Sequence, residues 1–428
     1  MDPNGNDRQD SDPDEGIELY DDDNDMPADD LVNDMGDMDF YEYDERDEEA
    51  DDGDEGRGID EEGAMAAAAA APRDDAVTCF DTHSGAVFCC DIHPAGGCLA
   101  VTGGEDDKAY IWNTTTGESV LECTGHNDSV TCVCFSYDGE LVATGDMSGV
   151  IKVWKLADKD EIWTYECSDL EWLTWHTGAN ILLGGTVEGS VWMWKIPSGD
   201  CKMMQGHGSH LTCGKIFPDG KRCCVGYKDG SVKMWDLKQT NTVFHFKDIN
   251  GHAADVTTLD CHHDNIVALS GSVDGTAKLL SSNTGKVLAT FSGGAIKEDI
   301  GETNSVESVG FSPSQPLAAL GSLNGMLSIW DIPTQKQRHQ CDHGAGIVRL
   351  AWDIESPMIF TAGLDGMVKL WDSRSSEKVD SRSSEKVASW MGHQGEILDL
   401  AISRDGNTIV TASGDTSARV FKVQQPDR

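Results

Sequence analysis

The sequence predicts an all-β fold in which eight similar units close into a β-propeller, preceded by a disordered acidic segment. Three observations carry this. From about residue 75 the chain repeats with a period near 40 residues, the range of propeller blades. Each unit holds an alternating strand that mostly ends in Trp: AYIW at 109–112, IKVW at 151–154, VWMW at 191–194, VKMW at 232–235, AKLL at 277–280, LSIW at 327–330, VKLW at 368–371 and ARVF at 418–421. Most units are followed by Gly-His before the next strand, at Gly125-His126, Gly206-His207, Gly251-His252 and Gly392-His393, with Asp342-His343 as a variant.

Residues 1–62 carry 29 Asp or Glu against Arg8, Arg46 and Arg57, about -26 of the formal net charge of -44. Such a segment lacks the apolar content to fold alone and is expected to be disordered. Within it, Leu31, Met35 and Met38 have the spacing of one helical face, beside Phe40 and Tyr41. Chance spacing explains that as readily as a motif that folds on a partner. Residues 63–75 form an Ala-rich linker, and the propeller is assigned to 76–422 with a short tail at 423–428. Between the Trp strands lie strand pairs such as VTCVCFSYDGELVATGD, with Asp138-Gly139 at the turn.

Both parts of the chain are acidic, which excludes phosphate neutralisation and so direct nucleic-acid binding, and favours a basic protein or peptide partner. The fourteen cysteines include adjacent pairs Cys89-Cys90 and Cys223-Cys224 and no CxxC spacing. They read as small buried hydrophobes in a reducing compartment, with no zinc site. No signal peptide, spanning apolar run or phosphate-cradling GxxxxGK[ST] is visible. The chain is expected to be a cytoplasmic, monomeric, non-catalytic protein with no cofactor and no metal. An enzyme of this shape would show His or carboxylate clusters in its channel, whereas the channel strands read as mostly apolar and Cys-rich.

Gly-His, the tight Asp turn and Trp-Asp at 235–236, 330–331 and 371–372 resemble the WD40 repeat family over about 76–422. The resemblance implies that the first strand of each unit completes the outer edge of the previous blade, so Ala76 to Phe80 is expected to pair with Ala418 to Phe421 in the last blade and hide the open edges of the ring. It also implies a buried hydrogen-bonded tetrad, matched by His83, Thr102, Asp106 and Trp112 in the first unit and by His343, Thr361, Asp365 and Trp371 in the seventh. Recurrence of this set across blades argues for structure rather than catalysis. Leu280 and Phe421 replace Trp, Asn324 replaces Asp, and the third and sixth units lack the His, so these blades are expected to rely on packing.

Segments such as VTGGEDDKAYIW, DLEWLTWH, WMWKIPSGDCK and IWDIPTQKQRHQC narrow the resemblance to one group within the family. Its fungal relatives act as dedicated chaperones for a very basic large-subunit ribosomal protein. Its animal members are described as promoting cell migration and angiogenesis. The resemblance therefore implies an escort for a ribosomal protein, with a signalling scaffold as the alternative and membrane association as a second location.

WD40 propellers usually bind through the narrow face, and the resemblance places three positions per blade there. The acids so placed are Glu105, Asp169, Glu171, Asp255, Glu307 and Glu396. The apolar residues are Phe88, Met147, Val187, Val273, Leu323, Val348, Leu364 and Leu398, and His210 and Lys228 are the basic candidates. Carboxylates beside exposed apolar groups suit a peptide with Arg or Lys and an apolar anchor; a merely solvated rim is the plainer reading. Trp163, Trp172, Trp175, Trp192 and Trp194 crowd the third unit. Trp175 and Trp194 are assigned to the core, and Trp192 to the opposite side of its sheet, with packing between neighbouring blades as its first use and a binding hot spot as its second. DSRSSEKV at 372–379 recurs letter for letter at 380–387, which reads as a duplication rather than a site.

Overall fold

The computed structural model describes residues 73–294, 304–374 and 386–423. The acidic segment with its Leu31, Met35 and Met38 motif, residues 63–72 of the linker, most of the DSRSSEKV duplication and residues 424–428 lie outside the described residues. Among the described residues, thirty-two strands form eight four-stranded antiparallel sheets. Each sheet is a blade, and seven are built from four consecutive strands. Blade 1 contains Val87–Ile92, Leu99–Gly104, Ala109–Asn113 and Ser119–Cys123, from the channel outward. Blades 2 to 7 begin with the inner strands Val130–Phe135, Leu170–Trp175, Leu211–Ile216, Val256–Cys261, Val306–Phe311 and Ile347–Trp352.

Blade 8 takes its inner strands, Ile397–Ile402, Thr408–Ser413 and Ala418–Lys422, from the end of the chain. Its outer strand is Thr78–Phe80, paired Thr78 to Val420 and Phe80 to Ala418. Phe80 is buried and stacks on Trp112 of blade 1, centroids 4.8 Å apart and rings 7° from parallel. The closing strand thus joins the two ends of the ring through a core that includes Val87, Cys90, Val410 and Val420.

Blades pack against one another through a repeated small residue. Gly103, Gly145, Gly185, Gly226, Gly271 and Gly321 hold the same position in the second strand of blades 1 to 6, and Ala362 and Ala412 hold it in blades 7 and 8. A Cβ at these glycines would lie only 2.3–2.8 Å from the first inner-strand residue of the next blade, Val130, Leu170, Leu211, Val256, Val306 or Ile347. The glycine is therefore the hole into which the neighbour's apolar knob fits.

The inner strands leave one edge facing the channel, and side chains from adjacent blades satisfy part of it. Asp399 accepts from the Cys90 amide at 3.0 Å, Asp91 from the Phe135 amide at 2.8 Å and Asp260 from the Phe311 amide at 2.8 Å. The Arg349 guanidinium donates to Asp399 at 3.0 Å. The expectation of a mostly apolar, Cys-rich channel is corrected here: its edge amides require acceptors, and Asp91, Asp260 and Asp399 supply them, with Arg349 and Lys215 as counter-charges. All fourteen cysteines are free thiols, and burial pushes those of the inner strands up, to about 12 for Cys132 and Cys213, so they are neutral packing groups.

Trp192 is also corrected. It lies on the same side as Trp194, centroids 6.1 Å apart and rings 5° from parallel, because residues two apart on a strand share a face. Tyr165 and Trp163 of blade 2 pack against this pair, which makes it part of the packing between blades 2 and 3.

Candidate functional site

Every inner strand carries a β-bulge at its second residue. The register shifts between Val87 and Cys89, Val130 and Cys132, Leu170 and Trp172, and Leu211 and Cys213. It shifts likewise between Val256 and Thr258, Val306 and Ser308, Ile347 and Arg349, and Ile397 and Asp399. A bulged residue leaves the ladder and its side chain is re-aimed. The eight bulged residues are Phe88, Thr131, Glu171, Thr212, Thr257, Glu307, Val348 and Leu398. Thr212 and Thr257 donate to the Val256 and Val306 carbonyls of the following blade.

A second eightfold feature fixes the rest of the rim. The amides of Glu105, Met147, Val187, Lys228, Val273, Leu323, Leu364 and Gly414 donate to the carbonyls of Ala86, Ser129, Asp169, His210, Asp255, Ser305, Gly346 and Glu396 in turn. Each bond ties the loop leaving the second strand to the residue just before the inner strand. All three positions per blade therefore stand at one end of the ring. The structure places Phe88, Glu105, Met147, Asp169, Glu171, Asp255, Glu307, Val348, Glu396 and Leu398 there, and none of them is buried. The remaining rim residues Val187, Val273, Leu323, Leu364, His210 and Lys228 are likewise half-buried or exposed.

The rim is asymmetric in charge. Six of its positions are carboxylates and Lys228 is its fixed cation. Some acids are already held: Glu105 accepts from the Ala86 amide at 3.1 Å, Glu307 from Ser305 Oγ at 2.5 Å, and Glu171 lies 2.9 Å from His210 Nε2. These bonds orient each carboxylate while leaving its second oxygen available. Met147, Val273 and Leu364 are exposed beside them. Sequence reasoning missed Thr131, Thr212 and Thr257, which the bulge adds to the ring. It also missed Arg349 and Trp172, each one residue beyond a bulge. A separate cavity of about 240 Å³, lined by Asp91, His93, Phe135, Tyr137 and Arg404, sits at the far end of the inner strands.

The tetrad residues belong to the frame beneath this rim. In blade 7, His343 bonds Thr361 at 2.8 Å and Asp365 at 3.2 Å, and Trp371 Nε1 donates to Thr361 at 2.8 Å. In blade 1, His83 Nδ1 lies 2.9 Å from Asp106 and Nε2 3.0 Å from Thr102. Trp112 departs from the expected set: its Nε1 has no partner among the described residues, and its indole is stacked flat on Phe80. Blade 2 holds a complete set in His126, Thr144, Asp146 and Trp154. Blades 5 and 8 were expected to rely on packing, yet His252 bonds Ser270 and Asp274, and His393 bonds Thr411 and Asp415. Loss of the Trp does not require loss of the other three groups. Among the described residues, no cluster of three His, Cys, Asp or Glu side chains could hold a metal ion.

The WD domain, G-beta repeat family matches residues 75–113, 117–155, 199–236, 243–281, 283–331, 335–372 and 384–422. Angio-associated migratory cell protein of Homo sapiens is 46% identical over 94% of this chain and 91% of that protein. Ribosome assembly protein SQT1 of Saccharomyces cerevisiae is 25% identical over 82% of this chain and 87% of that protein. Sqt1 of Chaetomium thermophilum, solved bound to the N-terminus of the ribosomal protein L10, superposes with a TM-score of 0.72 at 21% identity, covering 82% of this chain and all of that one.

Proposed function

From the premise that this chain belongs to the WD40 repeat family, and within it to the group of angio-associated migratory cell protein, we propose that it is a non-catalytic escort for a basic ribosomal protein. The observation that carries the reading is the rim: six carboxylates and several exposed apolar side chains, set by bulges and amide bonds that recur in every blade. A segment with Arg or Lys and one or two apolar residues matches that surface in both charge and contact. The L10 N-terminus named with Chaetomium Sqt1 supports a client of this chemistry. The acidic stretch 1–62 adds long-range attraction for the same client and speeds encounter. The reading places the protein in the cytoplasm, where ribosomal proteins are made.

A second reading, a scaffold in cell migration, is favoured by the 46% identity to a protein named for that process. Calorimetry with the N-terminal segment of ribosomal protein L10 separates the two. Glu171 and His210 are each about one-third exposed, so their pair contributes about 0–1 kcal/mol to stability. Each client Arg on a partly desolvated carboxylate contributes about 1–3 kcal/mol. Asp169→Lys with Glu171→Lys should therefore weaken binding at least tenfold and leave the melting temperature nearly unchanged. Full affinity in the folded double variant overturns the assignment of the rim, and no affinity in the wild-type protein overturns the escort reading.

A further inference from the structure

The third strand of a blade carries a cation at its second ladder position in five of the eight units: Lys152, Lys233, Lys278, Lys369 and Arg419. Four of these have an oxygen acceptor. Lys152 Nζ meets Glu161 at 2.8 Å, Lys278 Nζ donates to the Gly251 carbonyl at 2.5 Å, Lys369 Nζ to the His343 carbonyl and Asp365, and Arg419 to Asp74. Lys233 in blade 4 is the exception. It is buried, and among the described residues it makes no hydrogen bond or ion pair. Its ammonium rests on aromatic faces instead, 5.2 Å from the Trp235 ring centroid and 5.8 Å from that of Tyr227.

The residue across the ladder from Lys233 is also exceptional. The equivalent partner is Thr164, Thr290 or Ser389 for the other lysines, and it is His245 here. Residues directly opposite on an antiparallel pair share a face, so His245 and Lys233 stand side by side. His245 Nε2 is buried and has no hydrogen-bond partner. Its ring is 4.9 Å from that of His207, which in turn packs edge-on to Tyr227 at 4.5 Å. Lys247 lies at the margin and is exposed. Asp229 is the nearby carboxylate, and it is already engaged by His207 Nε2 at 2.8 Å and by Ser231 Oγ at 2.6 Å.

A lysine only 6% exposed whose ammonium has no protein acceptor, beside a buried imidazole nitrogen without a partner, leaves two adjacent donors that one anion would complete. We propose that Lys233 and His245 form a carboxylate-binding site on blade 4, filled by an Asp or Glu side chain of an acidic peptide. The two donors match the two oxygens of one carboxylate. Burial, with the charges of Lys233, His207 and Lys247, holds the His245 imidazolium far down, at about 4, so the ring is neutral and can donate a single N–H at neutral pH. Blade 4 suits such a partner as a whole: Lys215, Lys221, Arg222, Lys228, Lys233 and Lys238 outnumber Asp219, Asp229 and Asp236, in a chain of net charge -44. The site therefore recruits chemistry opposite to that of the rim.

The test is a titration of the full-length protein, with ring-labelled histidines followed by NMR at matched ionic strength. The probe is an acetylated, amidated hexaglutamate, with hexaglutamine as its control. The His245 resonance, assigned with His245→Gln, should shift saturably with hexaglutamate and not with hexaglutamine. Lys233→Met should weaken the affinity at least tenfold, and Lys233→Arg should retain it within about threefold. Lys233→Met should also melt no lower than wild type, because Met keeps the packing on Trp235 and removes the unpaired charge. If Lys233→Met does not fold, His245→Phe carries the same test, with the hexaglutamate-induced shift read at His207. Equal affinity of wild type and Lys233→Met, absence of the His245 shift, or a larger shift with inorganic phosphate than with hexaglutamate overturns the proposal.

Discussion

Asp146 is the best place to test whether the hydrogen-bonded frame, rather than hydrophobic packing alone, holds a blade. Its side chain is fully buried. It accepts from the Asn127 amide at 2.9 Å, the Val150 amide at 2.8 Å, Ser148 Oγ at 2.8 Å and His126 Nδ1 at 3.2 Å. Asp146→Ala strands these donors. The Ser148 hydroxyl can turn to water and Asn127 is exposed, which leaves the Val150 amide and the imidazole as the groups that cannot recover. At about 1–3 kcal/mol for each buried unsatisfied group, the expected cost is roughly 3–5 kcal/mol. The pH dependence has a definite sign. Burial opposes ionisation of Asp146, but the Asn127 amide, Ser148, the Val150 amide and His126 together hold its pKa below the ordinary value of 3.8. A carboxyl depressed on folding contributes stability that is complete above its unfolded pKa and is lost as pH falls. The gap between wild type and Asp146→Ala should therefore be full at pH 7 and narrow below about pH 4. Chemical denaturation at both pH values measures it. A gap under about 1 kcal/mol at pH 7 would refute the frame argument, because it would mean that neither the Val150 amide nor the imidazole is left without an acceptor.

Two further outcomes follow from the same geometry. Trp154→Phe removes an Nε1 donor to Thr144 at 2.9 Å, whereas Trp112 Nε1 has no partner, so Trp154→Phe should cost about 1 kcal/mol more than Trp112→Phe in matched melts. Asp91 is pushed up to about 6, by burial first and by Asp399, against the Phe135 and Ile92 amides and Lys215. A carboxyl raised on folding loses its contribution as pH rises through the folded value, so Asp91→Asn should gain roughly 1–2 kcal/mol on wild type between pH 4 and pH 8, after allowance for channel solvent. An unchanged difference across that range would show that Asp91 does not titrate in the channel.

The ring was legible in the sequence because repetition carries it. Eight strands ending in Trp, Leu or Phe and the spacing of Gly-His define the blades without any single unit being decisive. The closing strand was legible through the family resemblance, in which the first strand of a unit completes the previous blade, and Thr78–Phe80 does pair with the last strand of blade 8. The rim positions could be read because they recur at fixed offsets from the inner strand. The channel could not. Asp91, Lys215 and Asp260 take the fifth place of their inner strands and Arg349 and Asp399 the third, but other blades put Cys134, Thr174, Gly310, Ala351 and Ala401 at the fifth place, so no repeated residue type marks the charges that face one another. The pairing of Lys233 with His245 was hidden for another reason. The outer strand of blade 4 shifts register between Met234 and Trp235, and only the resulting ladder shows which residue lies opposite Lys233.

Departures from eightfold symmetry also suggest how a rim ligand would lie. In a ring of eight, blade 3 stands across from blade 7 and blade 4 from blade 8. Blade 3 presents Asp169 and Glu171, while blade 7 presents Val348 and Leu364. Blade 8 presents Glu396 and Leu398, while blade 4 presents His210 and Lys228. A basic segment crossing the face is therefore drawn toward blades 3 and 8 and turned from blade 4, and its apolar anchor finds blade 7. A symmetric acidic ring would bind any basic chain in any orientation, because charge attraction at a wet surface carries little geometry. On the proposed escort reading, a ring broken by an apolar sector and a basic one would give the client peptide a direction, because specificity draws on repulsive as well as attractive contacts.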